Sequence, residues 1–444
     1  MRRLLLNKLL LWKNKPDRKP LLLKGTRQVG KTTLLHQFGK EHFATCHSLN
    51  FEKDPELGKI FEQSLDPKHL IRELEFRFNR RINLTQDLLI FDEIQACPRA
   101  LTSLKYFAEE MPELALTAAG SLLGIYLGPV SFPVGKVDMI TLYPMSFEEF
   151  LIALDDRLVL DLLQNLKLGD PIPEMAHQHL FETLIHYFVV GGLPEVVKTF
   201  RNERQNLLSA FEKVRDKQQT LISTYLADIA KHSGKVNAMH ISRIWQAVPA
   251  QLAQTQDGSG TKFKFKGVVP GVDRFSRLAG AIDWLEAAGL IIKVPIVNSG
   301  AIPFSAHASE NAFKLYLFDI GLLGAMSNLS PQDILKYDYG SYKGYFAENY
   351  VAQALLTNGM NHLYSWQEKL AEVEFLHQID GAPIPVEVKS GWVTHAKSAK
   401  IFAEKYHSPY RVTFSAHNLC ISTAVHRYPL YLAGWFPLKD SPSH

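Results

Sequence analysis

Pro20-Leu21-Leu22-Leu23-Lys24-Gly25-Thr26-Arg27-Gln28-Val29-Gly30-Lys31-Thr32-Thr33 constrains this chain more than any other stretch. Leu21 to Leu23 predict a short buried strand, and "TTLLHQFGKEHF" predicts an amphipathic helix. Between them, Gly25-x-x-x-x-Gly30-Lys31-Thr32 is a complete P-loop pattern. A buried strand that turns over a glycine loop straight into a helix belongs to an α/β fold with a parallel sheet. Loop N–H groups and the positive end of the helix dipole then converge on one spot, where a phosphate is stabilised.

That geometry makes Gly25, Gln28, Gly30, Lys31, Thr32 and Thr33 the expected lining of a nucleotide site. Lys31 is placed to reach the β- and γ-phosphates of ATP, and Thr32 to ligate Mg²⁺. Downstream, "DLLIFDEIQACP" has four apolar residues, Leu88 to Phe91, that end in Asp92-Glu93. A buried parallel strand delivers its last residues to the edge where ligands bind. Asp92 is therefore expected to hold the Mg²⁺ and Glu93 to act as the base on the attacking water. "LALTAAGS" is the next candidate strand, and its end puts Ser121 in line for the γ-phosphate.

A chain of 444 residues exceeds one ordinary core, so two to four domains are expected. Its 46% hydrophobic and 21% charged residues belong to a folded globular protein. The net charge of +4 is small, so any nucleic-acid binding must come from a local patch. Cys46, Cys97 and Cys420 form neither a zinc spacing nor a disulfide framework, which suggests a reducing, cytoplasmic setting. The leucine-rich start, interrupted by Asn7 and Lys8, is expected as an amphipathic helix, with no membrane role. Leu114 to Gly135 carries no charge, but its glycines and prolines favour a buried strand and loop over a membrane span.

"GTRQVGKTT", "DEIQACP", "AAGSLL" and "LYPMSFEEF" resemble the bacterial and archaeal AAA-type ATPases that begin with a "GxRQVGKTT" P-loop. The resemblance implies ATP hydrolysis, a helical lid, a winged-helix-like region and a C-terminal nuclease-like domain. One departure concerns the arginine that family members place shortly before "PLSF", where this chain has Gly135-Lys136. Lysine lacks the bidentate fork of arginine, and Arg27 and Arg99 are alternative cations. Ser146 with Glu149 reads as a helix capping box.

Residues 147 to about 232 read as helical, broken by "GGLPE". "RFSRLAGAIDWLEAAGLIIKVPIV" reads as a helix with Leu278, Ile282, Leu285 and Ala288 on its apolar face, a Gly289 C-cap and a strand, as in a winged helix. "TKFKFKG" alternates lysines and phenylalanines. It fits either a basic strand for nucleic-acid phosphates or an edge strand with lysines outward, and the edge strand is favoured.

In "AEVEFLHQIDGAPIPVEVKSG", Asp380-Gly381 is a favoured hairpin turn. It sets Ile379 opposite Ala382 and Glu374 opposite Glu387, and it puts Glu372, Glu374, Glu387 and Lys389 on one face. Val373, Phe375, Val386 and Val388 take the other face. Pro383 and Pro385 lack N–H groups, so an edge position or a bulge is expected there. With Glu348 on a preceding helix, the set resembles the PD-(D/E)XK nuclease fold. That resemblance implies Mg²⁺ bound by Glu348, Glu374 and Glu387, with Lys389 beside the catalytic Glu374 and Glu387. The family's usual aspartate is Glu374 here, and Mg²⁺ demands tight octahedral geometry.

The expected organisation is an AAA-type core over 1–150, a helical lid over 151–232, a winged-helix-like region over 233–310 and a nuclease-like domain over 311–444. The expected function is Mg²⁺-dependent ATP hydrolysis coupled to a nuclease-like domain acting on DNA. The alternative is an ATP-driven signalling or scaffold protein with an inert nuclease-like domain and protein partners; an oligomer is compatible with either.

Overall fold

A computed structural model describes residues 1–121, 132–232, 235–254, 262–336, 342–391 and 397–438. The chain divides into two compact units, Met1–Tyr143 with Ala287–Gly289, and Pro144–Glu286 with Leu290–His444.

The first unit holds a five-stranded sheet of β1 (Leu21–Gly25), β2 (Cys46–Asn50), β3 (Leu88–Asp92), β4 (Ala115–Ser121) and β5 (Asp138–Thr141), in the order β2-β3-β4-β1-β5. All its pairings are parallel. β1 and β3 are interior strands, and Leu21–Leu23 and Leu88–Phe91 are completely buried. A parallel sheet covered on both faces needs such unbroken apolar runs. One side is filled by Leu22, Leu89, Phe91 and Leu116, packed against Phe61, Leu70, Leu104 and Phe107. The leading helix, Leu5–Lys13, buries Leu6, Leu9 and Trp12, as an amphipathic helix should. Leu114–Gly135 does open with a strand, and the glycine-rich part at 122–131 lies outside the described residues. Among the described residues, no helix is long and apolar enough to cross a membrane.

The second unit is built on an eight-stranded sheet in the order β12-β13-β11-β10-β9-β8-β6-β7. Its strands are β6 (Ile291–Val297), β7 (Ala308–Leu317), β8 (Tyr364–Glu368), β9 (Ala371–Ile379), β10 (Ala382–Val388), β11 (Arg411–Ser415), β12 (Cys420–Ile421) and β13 (Val425–Pro429). The helix Tyr342–Thr357 precedes β8, and the helix Lys397–Tyr406 connects β10 to β11. β8, β9 and β10 form an antiparallel meander, and β11 adds parallel to β10.

The hairpin register follows the Asp380-Gly381 turn: Ile379 faces Ala382 and Phe375 faces Val386 without slippage. Both prolines keep this register, opposite Gln378 and Leu376, so there is no bulge at them. β10 is also interior rather than an edge. Its pairing with β11 begins only at Val386, so the missing N–H groups of Pro383 and Pro385 break no ladder bond on that side.

The expected boundary at 310 falls inside β7, and the strand expected after the winged-helix-like helix, β6, pairs with β7 and β8 in the eight-stranded sheet. The helices expected as a lid, including Glu174–Val190, are bonded to the C-terminal third of the chain. The His177 ring lies 2.8 Å from the Tyr431 hydroxyl, and Gln353 Nε2 donates to the Tyr187 hydroxyl at 3.0 Å. Apolar spacing showed that these segments are helical, while their partners are set by contacts distant in sequence.

Candidate functional sites

Gly30 starts the helix Lys31–His42 with φ of 93° and no side-chain cap. A β-branched or bulky residue would be strained there, and the first-turn N–H groups keep no side-chain acceptor. Gly25 is needed for a different reason: a Cβ on it would lie 2.3 Å from the Leu142 carbonyl oxygen. The buried Arg3 braces the loop from behind, donating to the Val29 carbonyl at 2.8 Å and the Tyr143 carbonyl at 2.6 Å.

Lys31 folds its ammonium onto the loop, donating to the carbonyls of Gly25 at 2.9 Å and Thr26 at 3.0 Å. Burial pulls its pKa down to about 8, against the raising charges of Glu93 and Asp92. Thr32 Oγ1 donates to both oxygens of Asp92, at 3.0 and 3.1 Å. Asn50, at the end of β2, donates to the same carboxylate at 3.0 Å. Burial raises the Asp92 pKa, and the bonds from Thr32 and Asn50 oppose that rise.

Glu93 follows directly with φ of 50° and accepts a hydrogen bond from Gln95. Ser121 ends β4 in register with Gly25. Gln28 and Thr33 are exposed on the loop and the first helical turn. The residues expected to form the nucleotide site therefore share one sheet edge. Arg3 and Asn50 carried no sequence signal, since each is a lone polar residue whose role depends on a distant strand or loop.

The cation candidates separate. Lys136 pairs with Glu109 at 2.9 Å near the surface, and Arg99 Nε donates to the Phe61 carbonyl at 2.7 Å. Arg27 is the candidate whose charge acts on Lys31, lowering its pKa. Ser146 and Glu149 form the expected capping box.

The second unit gathers Glu348, Glu374, Glu387 and Lys389 as expected and adds Lys314 and Tyr316 from β7. Lys389 Nζ lies 2.7 Å from Glu387 and 3.8 Å from Glu374. Lys314 Nζ lies 2.5 Å from Glu372 and 3.6 Å from Glu348, with its side chain only 3% exposed. The Tyr316 hydroxyl donates to Glu348 at 2.9 Å, and the Val388 N–H donates to Glu374 at 3.3 Å. Glu372 is thus paired with Lys314, while Lys389 serves Glu387 and Glu374. A lysine among apolar strand residues reads as an outward charge, which is why sequence reasoning missed Lys314.

Burial raises the Glu374 pKa to about 8, Lys389 and Lys314 pulling it down and Glu348 and Glu387 pushing it up. Burial works against both ammonium groups, yet Glu374 and Glu387 raise Lys389, and Tyr316 with Glu348, Glu372 and Glu374 holds Lys314 well above the usual lysine range. Glu387 Oε2 is buried without a hydrogen-bond partner. Among the described residues, no group of three acidic, imidazole or thiol side chains is arranged to hold a metal ion.

Residues 17–151 match the profile of an AAA domain. Residues 181–333 and 343–433 match two domains of unknown function, DUF8612 and DUF4143. No curated protein matches the chain. Among solved structures, the Aeropyrum pernix Orc1 protein in complex with DNA matches at 13% identity and TM-score 0.30, over 73% of this chain and 90% of that one. The Thermotoga maritima RuvB Holliday junction branch migration motor matches at 14% and 0.29, over 65% and 88%. C. elegans PCH-2 matches at 14% and 0.30, over 48% and 66%. Likenesses this low carry no functional argument. The AAA match covers the strand, loop and carboxylate just described, and the N-terminal unit is accordingly an AAA-type P-loop ATPase core.

Proposed function

We propose that this protein binds and hydrolyses Mg²⁺-ATP in its N-terminal unit and that the cycle acts on a C-terminal unit of nuclease-like topology. The carrying observation is the Thr32–Asp92 contact at 3.0 Å beside an uncapped helix N-terminus and the Lys31 ammonium. These residues fit Mg²⁺ and a triphosphate: two adjacent oxygen donors for the ion, free amides and a cation for the phosphates. When bound, the ion neutralises charge on the phosphate oxygens. Lys31 exchanges its two carbonyl partners for phosphate, Asn50 keeps Asp92 oriented, and Glu93 takes the proton of the attacking water. Glu93→Gln is expected to bind ATP but to hydrolyse it about 10²- to 10⁴-fold more slowly, the usual contribution of a general base. Lys31→Ala is expected to lose binding. Nucleotide binding and phosphate release on the purified variants check both, and an unchanged rate in Glu93→Gln would remove Glu93 as the base.

The C-terminal unit admits two readings. The order helix, β8, β9, β10, helix, β11, with Glu348, Glu374, Glu387 and Lys389 gathered, supports a nuclease-like fold acting on DNA, and the unpartnered Glu387 Oε2 is an open acceptor in it. One acceptor is not a ligand set, however. The acids face lysines, and the residues as arranged do not fit Mg²⁺. That observation favours the second reading, an ATP-driven scaffold or signalling protein with an inert nuclease-like domain. Lys262, Lys264 and Lys266 are exposed, while Phe263 stacks on Phe313 and Phe265 meets Phe313 edge-on and Phe275 at a tilt. The lysines remain open to a DNA backbone. Retention on DNA that falls with salt and weakens when these lysines are replaced would support DNA as the partner.

A further inference from the structure

The acid cluster of the second unit already contains its cations. Four carboxylates, from Glu348, Glu372, Glu374 and Glu387, meet two ammonium groups, from Lys314 and Lys389. Lys389 is the partially exposed member, 28% accessible, and sits over the pair on β9 and β10. Lys314 is different. It rises from β7, is 3% exposed, and bridges Glu372 on β9 to Glu348 on the helix Tyr342–Thr357.

We propose that Lys314 is the resident cation of this cluster, taking the place a divalent metal would need among Glu348, Glu372 and Glu374. The argument is geometric. Mg²⁺ and Mn²⁺ need carboxylate oxygens turned toward one centre at about 2.1 Å. Here Glu348 accepts from Tyr316 and faces Lys314, Glu372 is paired with Lys314, and Glu374 accepts from the Val388 N–H and faces Lys389. The carboxylates are thus divided between two internal cations instead of converging on a third. A buried ammonium enclosed by acids cannot swing into water without leaving those acids uncompensated. The cluster therefore joins β7, β9, β10 and the helix Tyr342–Thr357 as a permanent ionic joint, not as a site that exchanges metal. This inference rests on the inert reading of the C-terminal unit and names the residue responsible for it.

The test uses the nucleotide-free full chain titrated with Mn²⁺, with free Mn²⁺ read by electron paramagnetic resonance. Wild type is expected to show no Mn²⁺ uptake that depends on Glu348. Lys314→Met is expected to gain roughly one Mn²⁺ per chain, lost again in Lys314→Met/Glu348→Gln. Should Lys314→Met unfold, Lys314→Gln removes the ammonium while keeping a polar end and all three carboxylates, and the same gain is expected. Uptake in wild type that disappears in Glu348→Gln overturns the proposal, as does a folded Lys314 variant that gains none. Plasmid cleavage in Mg²⁺ or Mn²⁺, measured in parallel, separates the two ideas. Cleavage lost in Glu387→Gln, with no Glu348-dependent Mn²⁺ uptake in wild type, ends the inert reading while leaving Lys314 as the resident cation.

Discussion

Glu374 shows how burial changes a residue that looks ordinary in the sequence. Its carboxyl is pushed up to about 8, first by burial, and its hydrogen bond from Val388 and its nearness to Lys389 do not reverse that. An unfolded glutamate titrates near 4.3, so between that value and about 8 the folded chain holds a proton the unfolded chain has lost. Stability supplied by this group is therefore full at acid pH and declines as pH rises toward about 8, then levels off. Glu374→Gln, which keeps the neutral shape, is expected to flatten that decline. Melting temperature against pH from 5 to 9 checks it, and an unchanged slope would show that other groups set the dependence. The loop residues contrast with this. Gly25, Gly30, Lys31 and Thr32 were legible because phosphate recognition by backbone needs those types at that spacing, and their neighbours in sequence are also their neighbours in space.

Among the elements, the break at Gly191-Gly192 links a helix end to a strand-to-helix corner more than a hundred residues away. Asp319 caps the helix Ile320–Met326 by accepting from the Leu322 N–H at 3.1 Å, and it also accepts from the Gly192 N–H at 2.7 Å. There is no room for side chains at the turn. A Cβ on Gly192 would lie 2.2 Å from the Met145 carbonyl oxygen, and one on Gly191, where φ is 74°, would lie 2.3 Å from Asp319 Oδ1. Asp319→Ala removes a cap, which costs about 0.5–2 kcal/mol, and leaves a buried N–H unpaired, at about 1–3 kcal/mol. A combined loss of roughly 2–4 kcal/mol is expected in urea denaturation, and a loss under about 0.5 kcal/mol, the ordinary surface-mutation range, would contradict it. "GGLPE" signalled a turn in the sequence, but nothing near it announced Asp319 as its partner. The hairpin at Asp380-Gly381 was readable to the single residue because a two-residue turn sets the register of both flanks.

At the scale of the whole molecule, the division into two compact units gives each its own sheet and core. A ligand that binds one folded unit stabilises that unit, by about 2.7 kcal/mol at a hundredfold excess over Kd. Scanning calorimetry is expected to show two transitions, with Mg²⁺-ATP raising one of them and Lys31→Ala abolishing that rise. A single transition that shifts as a whole would mean the units unfold together. By itself, the sequence determined the strand–loop–helix start, the Asp92-Glu93 strand end, the capping box and the hairpin register. Each of these is local, set by neighbours a few residues apart. Only the tertiary structure decided that the expected lid helices bond to the C-terminal third, that the strand after the winged-helix-like helix joins the eight-stranded sheet, and that Lys314 sits among the acids. Those outcomes depend on contacts between residues far apart in the chain, and neither periodicity nor propensity carries information about which distant partner a buried charge or an apolar face will meet.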